Sequence, residues 1–531
     1  MTKQRITLFD TTLRDGAQTP GIDFSVEDKI AISSMLDEFG LDYIEGGYPG
    51  ANPTDTAFFE TPRTQSATFT AFGMTKRAGV SASNDPGLAS LTASAASAIC
   101  FVAKAWDLHV KVALGCTNEE NIENISASVE AARAAGKEAL VDCEHFFDGY
   151  KANPSYALSC AKAALDAGAR WVVLCDTNGG CQPSEIRSIV EEVCKTIPGD
   201  HLGIHAHNDT DQAVANSLAA IEGGARQVQG TINGIGERCG NANLISLIPT
   251  LMLKPYYADR FEVGITAEKL ATITKLSRTF DELLNRAPHS QAPYAGSSAF
   301  ATKAGIHASA LVKDPTTYEH VPPESVGNAR NLMVSDQGGK SNFLDQLAKR
   351  GIEVDKSNPK LDSLIAVVKE REAAGYAYEA AEASFELLAR RRLGTVPTYF
   401  KVESFRTSVE RRFNALGEII TVSEAVVKLD VDGDILLSVA EGQGPVNALD
   451  KALRTDLGKY QAEIDGLELV DYKVRILNGG TEAITRVLIE STDETGERWW
   501  TVGVSDNIID ASFQALIDSL NYKLVKSGAV A

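Results

Sequence analysis

Short apolar runs alternate with longer stretches of helical periodicity through the first half of the chain. The runs fall at residues 6–10, 43–47, 68–73, 98–104, 138–146, 171–177, 201–207 and 228–233. They recur at roughly 32-residue spacing, the βα repeat of a closed barrel of parallel strands. Between them, Ile122, Ile125, Val129 and Ala132 share one helical face, as do Ile186, Ile189, Val190 and Val193. Ser25 with Asp28 has the form of a capping box, and Gly40 is placed to stop the helix that follows. A doubly wound open sheet would alternate in the same way. It would rarely use eight strands without a Gly-rich dinucleotide loop after the first, and no such loop stands here. The pattern predicts an α/β fold, a (β/α)8 TIM barrel over residues 1–265.

The grammar then changes twice. Residues 266–394 read as mostly helical linker subdomains, with loops at 289–302 and 336–342. The run 361–392 is nearly all helix formers, and Arg390, Arg391 and Arg392 before Gly394 complement a helix C-terminus. From Pro397, runs at 402–405, 425–429, 435–440, 467–477, 484–490 and 499–504 read as strands. A strand, a polar turn and a helix occur as LLSVAEGQGPVNALDKALRTDL and again as WWTVGVSDNIIDASFQALIDSL. Two similar halves predict a pseudo-symmetric C-terminal α+β domain over residues 395–531. It carries no obvious catalytic cluster, so regulation or assembly is its better use.

Composition narrows the partners. The chain has 531 residues, 44% hydrophobic and 23% charged, with a net charge of −20. A surface that acidic repels nucleic acid and anionic membrane. Anionic substrates would need a local positive charge, from a metal or a buried arginine. The eight cysteines contain no CxxC pair, and several lie inside apolar runs, as buried reduced thiols do. The first residues run into a strand with no signal or transit pattern, and no apolar run approaches the ~20 residues of a membrane span. A cytoplasmic location is expected.

Catalytic residues of such barrels stand at the carboxyl ends of the strands. There the chain places Arg14 and Asp15 after strand 1, Glu45 on strand 2, Glu144 on strand 5 and Thr177 ending strand 6. Strand 7 ends in His205 and His207, and the loop GIGERCGNAN after strand 8 holds Asn241. Residues i and i+2 of a strand share a face, so both imidazoles can reach one ion. With Asp15 they form a two-His, one-carboxylate set suited to a divalent catalytic metal with open positions. Arg14 is placed to hold a substrate carboxylate or a developing oxyanion. Glu144 stands between apolar neighbours, where burial would raise its pKa toward general-base range. His145 should face the other way on that strand, as a structural residue. Gly234, Gly236 and Gly240 lack the dinucleotide spacing and would let a loop turn beside the metal.

At these residues the chain resembles the acyl-CoA-condensing branch of the Asp-Arg-Glu metal-dependent barrels, the 2-isopropylmalate/homocitrate/citramalate synthase family. The matching segments are DTTLRDGAQTPG at 10–21, IEGGYPG at 44–50, HAHNDTDQAVANSLAAIEGGA at 205–225 and NGIGERCGNANL at 233–244. AGIHASALVKDPTTYEHVPPESVG at 304–327 resembles the family's helical subdomain, and the tail resembles its allosteric domain. The resemblance implies Asp15, His205, His207 and Asn241 as ligands of a divalent metal (Mn2+, Mg2+ or Zn2+). It implies Arg14, Thr177 and Glu45 at the 2-oxo acid, and Glu144 with His307 as the proton-handling pair. Tyr318 would reach a neighbouring subunit's site, implying a homodimer or higher homo-oligomer. IEGGYP in place of IEVGFP, and the strand 4 end VAKAW, are similar to the citramalate-forming subgroup. The implied reaction condenses acetyl-CoA with pyruvate, and the implied effector of the C-terminal domain is an amino acid, isoleucine first. Two rival readings are a 2-isopropylmalate synthase and an inactive metabolite sensor on the same barrel.

Overall fold

Each of the eight apolar runs forms a strand. They are β1 (Thr7–Asp10), β2 (Tyr43–Glu45), β3 (Thr68–Met74), β4 (Ala98–Lys104), β5 (Glu138–Glu144), β6 (Trp171–Asp176), β7 (Leu202–Ala206) and β8 (Gln227–Gly230). All pair in parallel with their sequence neighbours, and β1 closes onto β8, so the predicted barrel is present. The computed structural model describes residues 3–284, 286–332, 340–413, 416–477 and 483–530. Its chain divides into two units, Met1–Phe300 with Val321–Arg330, and Ala301–His320 with Asn331–Ala531.

In the first unit the two-residue period of the strands sorts side chains into two cores. Ile99, Phe101, Val141, Val172, Leu174 and Val228 face outward and pack with the surrounding helices. Phe9, Tyr43, Ala98, Cys100, Leu140, Trp171 and Val173 form a separate buried cluster that plugs the lumen. Trp171 Nε1 donates to the Tyr43 hydroxyl at 3.4 Å, and that hydroxyl donates to Glu138 at 2.6 Å. Two residues further along several of these strands the inward positions turn polar: Glu45 after Tyr43, Asp142 after Leu140, Cys175 after Val173. The plug thus forms the floor of a polar chamber at the carboxyl ends.

The helices begin and end where the residues direct. Ser25 and Asp28 exchange both hydrogen bonds of a capping box before the helix Val26–Phe39, and Gly40 ends it at φ 102°. That helix carries Lys29, whose ammonium is buried and donates to the carbonyls of Leu13 at 3.0 Å and Gly46 at 2.8 Å and to the Asp55 carboxylate. Asp55 also accepts from the Tyr48 N–H at 2.8 Å and from Asn52 at 3.0 Å. One internal ion pair therefore holds the backbone beside Arg14 and beside Glu45.

In the second unit two antiparallel three-stranded sheets each run into a helix. The first is β9 (Lys401–Phe413), β10 (Ile419–Val431) and β11 (Asp434–Gly442), followed by the helix Pro445–Thr455. The second is β12 (Glu468–Ile476), β13 (Thr485–Thr492) and β14 (Arg498–Ser505), followed by the helix Ile508–Ser527. These are the two halves of the sequence repeat. Inward residues of both sheets, such as Val427, Leu429, Val487 and Ile489, share one core with Leu449, Leu453, Leu516 and Leu520.

The helical run at 361–392 is not continuous. It divides into Pro359–Ala373 and Glu382–Leu393, with a break at Gly375, where φ is 112°. A residue with a Cβ rarely adopts that backbone, and its Cβ there would lie 2.3 Å from Leu477 Cδ1. The second helix ends at Gly394 as predicted, with Arg390 paired to Glu386 and Arg391 to Asp518. Of the loop expected at 336–342, residues 336–339 lie outside the described residues, and the chain is helical from Lys340. All eight cysteines are free, and five are buried. No helix among the described residues is long and apolar enough to cross a membrane.

Asp55→Ala should leave the Lys29 ammonium buried without a counter-charge. Breaking such a pair costs about 3–5 kcal/mol. Calorimetry of the full chain should show the barrel's unfolding transition moved down by several degrees, and an unmoved transition would contradict this account of Lys29.

Candidate functional site

The polar chamber begins where β7 runs out. His205 lies on β7 and His207 just beyond it, where it bridges to Asn241 in the loop after β8. Asp15 follows β1. One ligand atom from each of Asp15, His205 and His207 lies within 4.8 Å of the others, and all three residues are buried. His205 Nε2 stands 3.1 Å from Asp15 Oδ2 and 3.3 Å from His207 Nε2. The Asn241 amide reaches the same point, 2.6 Å from Asp15 Oδ2 and 3.2 Å from His205 Nε2. Gly236 makes room for it, since a Cβ there would lie 2.1 Å from Asn241 Oδ1. All four predicted ligands therefore come together.

The donor set fits a divalent cation. Asp15 Oδ1, Asn241 Oδ1 and His207 Nδ1 are buried with no hydrogen-bond partner among the described residues. Buried polar atoms are seldom left so, and three in one cluster call for an ion or solvent. Behind His205, its Nδ1 lies 2.7 Å from Gln229 Oε1, while Gln229 Nε2 donates to Asp142 at 2.9 Å. The amide oxygen only accepts, so Nδ1 carries a proton, and Nε2 is the atom turned toward the cluster, where a metal would take it.

Arg14 is the buried counter-charge. Its Nε donates to Glu45 at 2.7 Å, its Nη1 lies 3.5 Å from Asp15, and its guanidinium sits 4.0 Å over the Phe72 ring. Burial works against ionisation of Asp15, but Arg14 and His205 outweigh it and hold the carboxyl well below its usual range. Burial pushes Glu45 up to about 7 despite Arg14, and raises Asp142 as well. Burial, followed by the neighbouring His205, pushes His207 down to about 3, so it is neutral and able to ligate. Arg14, Asp15 and Glu45 thus form one internal network.

Glu144 departs from expectation. Its side chain is 24% exposed and pairs directly with Lys104, so the burial inferred from its apolar neighbours is incomplete. Those neighbours lie on the other face of β5 or beyond its end. His145 also differs, because β5 stops at Glu144 and His145 turns into the left-handed region at φ 54°. There its backbone N–H donates to Thr177 Oγ1 at 2.8 Å, and its ring approaches Asp148 at 3.2 Å. Arg14, Asp15, Lys104, Glu144, Thr177, His205 and His207 line one cavity of about 250 Å3, with Phe72, Met74 and Val102 as its apolar wall. A neighbouring cavity of about 490 Å3 shares Arg14, Gln18 and Phe72 with it.

His307 and Tyr318 lie in the second unit, where the structure pairs them with each other. His307 is on the helix Gly305–Lys313, and the two rings stack at 4.2 Å. Both are exposed. Lys104 and Asp142, together with Gln18 and Glu237, line the chamber without being among the predicted residues, and Gln229 behind His205 is not among them either. Strand parity held the signal, since Lys104 has the parity of Cys100, Asp142 that of Glu144, and Gln229 lies one strand from His205.

The chain matches the HMGL-like family over residues 5–277. It matches the homocitrate synthase post-HMGL domain-like family over residues 295–374, and the LeuA allosteric (dimerisation) domain over residues 379–524. It is 49% identical over 529 residues to the (R)-citramalate synthase of Aquifex aeolicus, covering 98% of both chains. It is likewise 49% identical over 527 residues to that of Geobacter sulfurreducens, again covering 98% of both. Identity falls to 32% over 525 residues with a probable 2-isopropylmalate synthase of Methanopyrus kandleri, over 97% of this chain and 98% of that one.

Purified protein should bind one Mn2+ per chain at the cluster, read by paramagnetic resonance titration. Gln229→Leu, which frees His205 to rotate, should weaken binding about 10–100-fold. Asp15→Asn and His207→Ala should abolish it, and undiminished binding in either would remove the assignment.

Proposed function

The chain belongs to the HMGL-like family, among its (R)-citramalate synthases, and from that premise we propose how its residues divide the condensation of acetyl-CoA with pyruvate. The products are (R)-citramalate and CoA. The observation that carries the division is a single cavity in which Asp15, His205 and His207, the Arg14 guanidinium and the Glu144 carboxylate face the same space.

A divalent cation (Mn2+, Mg2+ or Zn2+) held by Asp15, His205 and His207, with Asn241 as a further ligand, would polarise the carbonyl of the 2-oxo acid. Glu45 and Phe72 hold Arg14 in place, and its remaining N–H groups donate to the carbonyl oxygen as it becomes an alkoxide. Thr177 accepts the His145 N–H, which leaves its own O–H to donate to the substrate carboxylate. Glu144 with His307 takes a methyl proton from acetyl-CoA. The freed electron pair forms the new carbon–carbon bond, the alkoxide takes up a proton, and water then cleaves the thioester. Tyr318, stacked on His307, serves a neighbouring subunit's site in a homodimer.

Substrate choice rests on the apolar wall of Phe72, Met74 and Val102, which faces the substrate's methyl group. One added methylene in such a wall changes affinity by only ~1–3 kcal/mol, so 2-oxobutyrate is a slow alternative. The branched 2-oxoisovalerate asks for more room, and the lower identity to a 2-isopropylmalate synthase weighs against it. The LeuA-type domain supports allosteric control and dimer assembly, with isoleucine as effector and the pyruvate route to isoleucine as the pathway. The enzyme works in the cytoplasm, without nucleic acid or membrane as partner.

CoA thiol release by metal-loaded protein should be strong with pyruvate and at least tenfold weaker with 2-oxoisovalerate. The reverse preference would move the chain to the leucine route with its catalytic roles intact. Isoleucine at millimolar concentration should inhibit turnover and give a calorimetric binding isotherm. Unchanged turnover with no heat of binding would discard it as effector.

A further inference from the structure

The ends of β4 and β5 carry an ion pair whose cation the roles above leave unused. Lys104 and Glu144 are Cα partners in the parallel register of these strands, so both side chains enter the chamber at one level. Their ammonium and carboxylate are in direct contact, with the side chains 15% and 24% exposed. In the eight-strand ring, β4 and β5 stand across from β8 and β1, which bring Asn241 and Asp15. A 2-oxo acid bound at the ligand cluster and Arg14 therefore leaves the Lys104–Glu144 wall for the second reactant. Arg14 is engaged by Glu45 and Asp15, whereas Lys104 commits one of its three N–H donors to Glu144.

Resting on the reading above, we propose that Lys104 is a catalytic residue that donates a hydrogen bond to the thioester carbonyl oxygen of acetyl-CoA as the enolate forms. When the methyl C–H bond breaks, its proton passes to Glu144 and its electron pair moves into the carbon–carbon bond. The carbonyl π pair moves onto oxygen, so the negative charge leaves the carboxylate and appears on the acyl oxygen beside it. Lys104 keeps its proton and meets one anion in place of another, with little rearrangement of surrounding dipoles. When the enolate carbon attacks the 2-oxo carbon, that pair becomes the new bond and the thioester carbonyl is restored. A merely structural surface pair needs no place on the inward face at the height of the reacting groups.

Full-length, metal-loaded wild type and Lys104→Met are compared with acetyl-CoA and with its trideuterated-methyl form, at saturating pyruvate. Removing one such donor costs about 10²–10³-fold in kcat, so Lys104→Met should lose that much while the KM for pyruvate moves less than about threefold. Proton removal then limits the rate, so the deuterium effect on kcat should rise above the wild-type value. Lys104→Arg, which keeps a cationic donor, should recover at least tenfold of the loss. Lys104→Leu repeats the comparison if the methionine variant unfolds. A deuterium effect equal to wild type, or a loss confined to the pyruvate KM, would overturn the assignment. Wild type that releases no CoA with any 2-oxo acid would overturn the underlying reading itself.

Discussion

The site rests on one constraint: charge inside a barrel must be answered by charge. Arg14 reaches down from the turn after β1 and faces Asp15, Glu45 and Asp142, all buried. One guanidinium cannot satisfy three carboxylates, and burial raises Glu45 and Asp142 in consequence. Asp15, in contact with both Arg14 and His205, keeps its charge. That deficit of positive charge lies beside three unpartnered buried polar atoms of the cluster, which is where a divalent cation would balance the set. The arginine and the ligand cluster are thus one electrostatic unit, and removing either changes the other.

Strand geometry sets the height of this unit. The plug of Phe9, Tyr43, Leu140 and Trp171 fills the lumen, and the next inward residues are Glu45, Asp142 and their neighbours. A two-residue step along each strand therefore separates a dry floor from a polar chamber. Lys29 holds the two turns that carry Arg14 and the end of β2, from outside the lumen, through the carbonyls of Leu13 and Gly46. Rigid strands aim the histidines, while a buried lysine steadies the loops beside them.

Much of this was legible in the residues. The eight strands, the capping box at Ser25, the repeat in the C-terminal half and the cluster of Asp15, His205 and His207 all follow from spacing and strand ends, while Asn241 as a fourth member follows only from the family resemblance. What escaped lay beyond those signals. The apolar neighbours of Glu144 suggested burial, yet alternation sends Cys143 outward and leaves Glu144 at the open mouth beside Lys104. His145 was placed on the far face of a strand that in fact ends one residue earlier, and no local signal marks its left-handed turn. Asp142 lies two residues inside the end of β5 and Gln229 one residue inside the end of β8, where no strand-end signal marks them, while Lys104 ends β4 but reads as an ordinary solvated lysine until its register partner Glu144 is known. Gly375 broke a run of helix formers through its backbone alone.

The acidic balance of the chain gives these positions their consequence. A net charge of −20 opposes the approach of CoA phosphates and a 2-oxo carboxylate over most of the surface. Attraction must come from short range, where water is thin and each cation counts more. The chamber supplies it from two sides, with Arg14 and the ligand cluster toward β1 and β7 and Lys104 toward β4. On the division of roles proposed above, the 2-oxo acid lies toward β1 and β7 and the acetyl thioester toward β4, with the reacting carbons between them. The barrel, by spacing its inward residues around a ring, sets a cationic side chain on each of those two sides of the chamber.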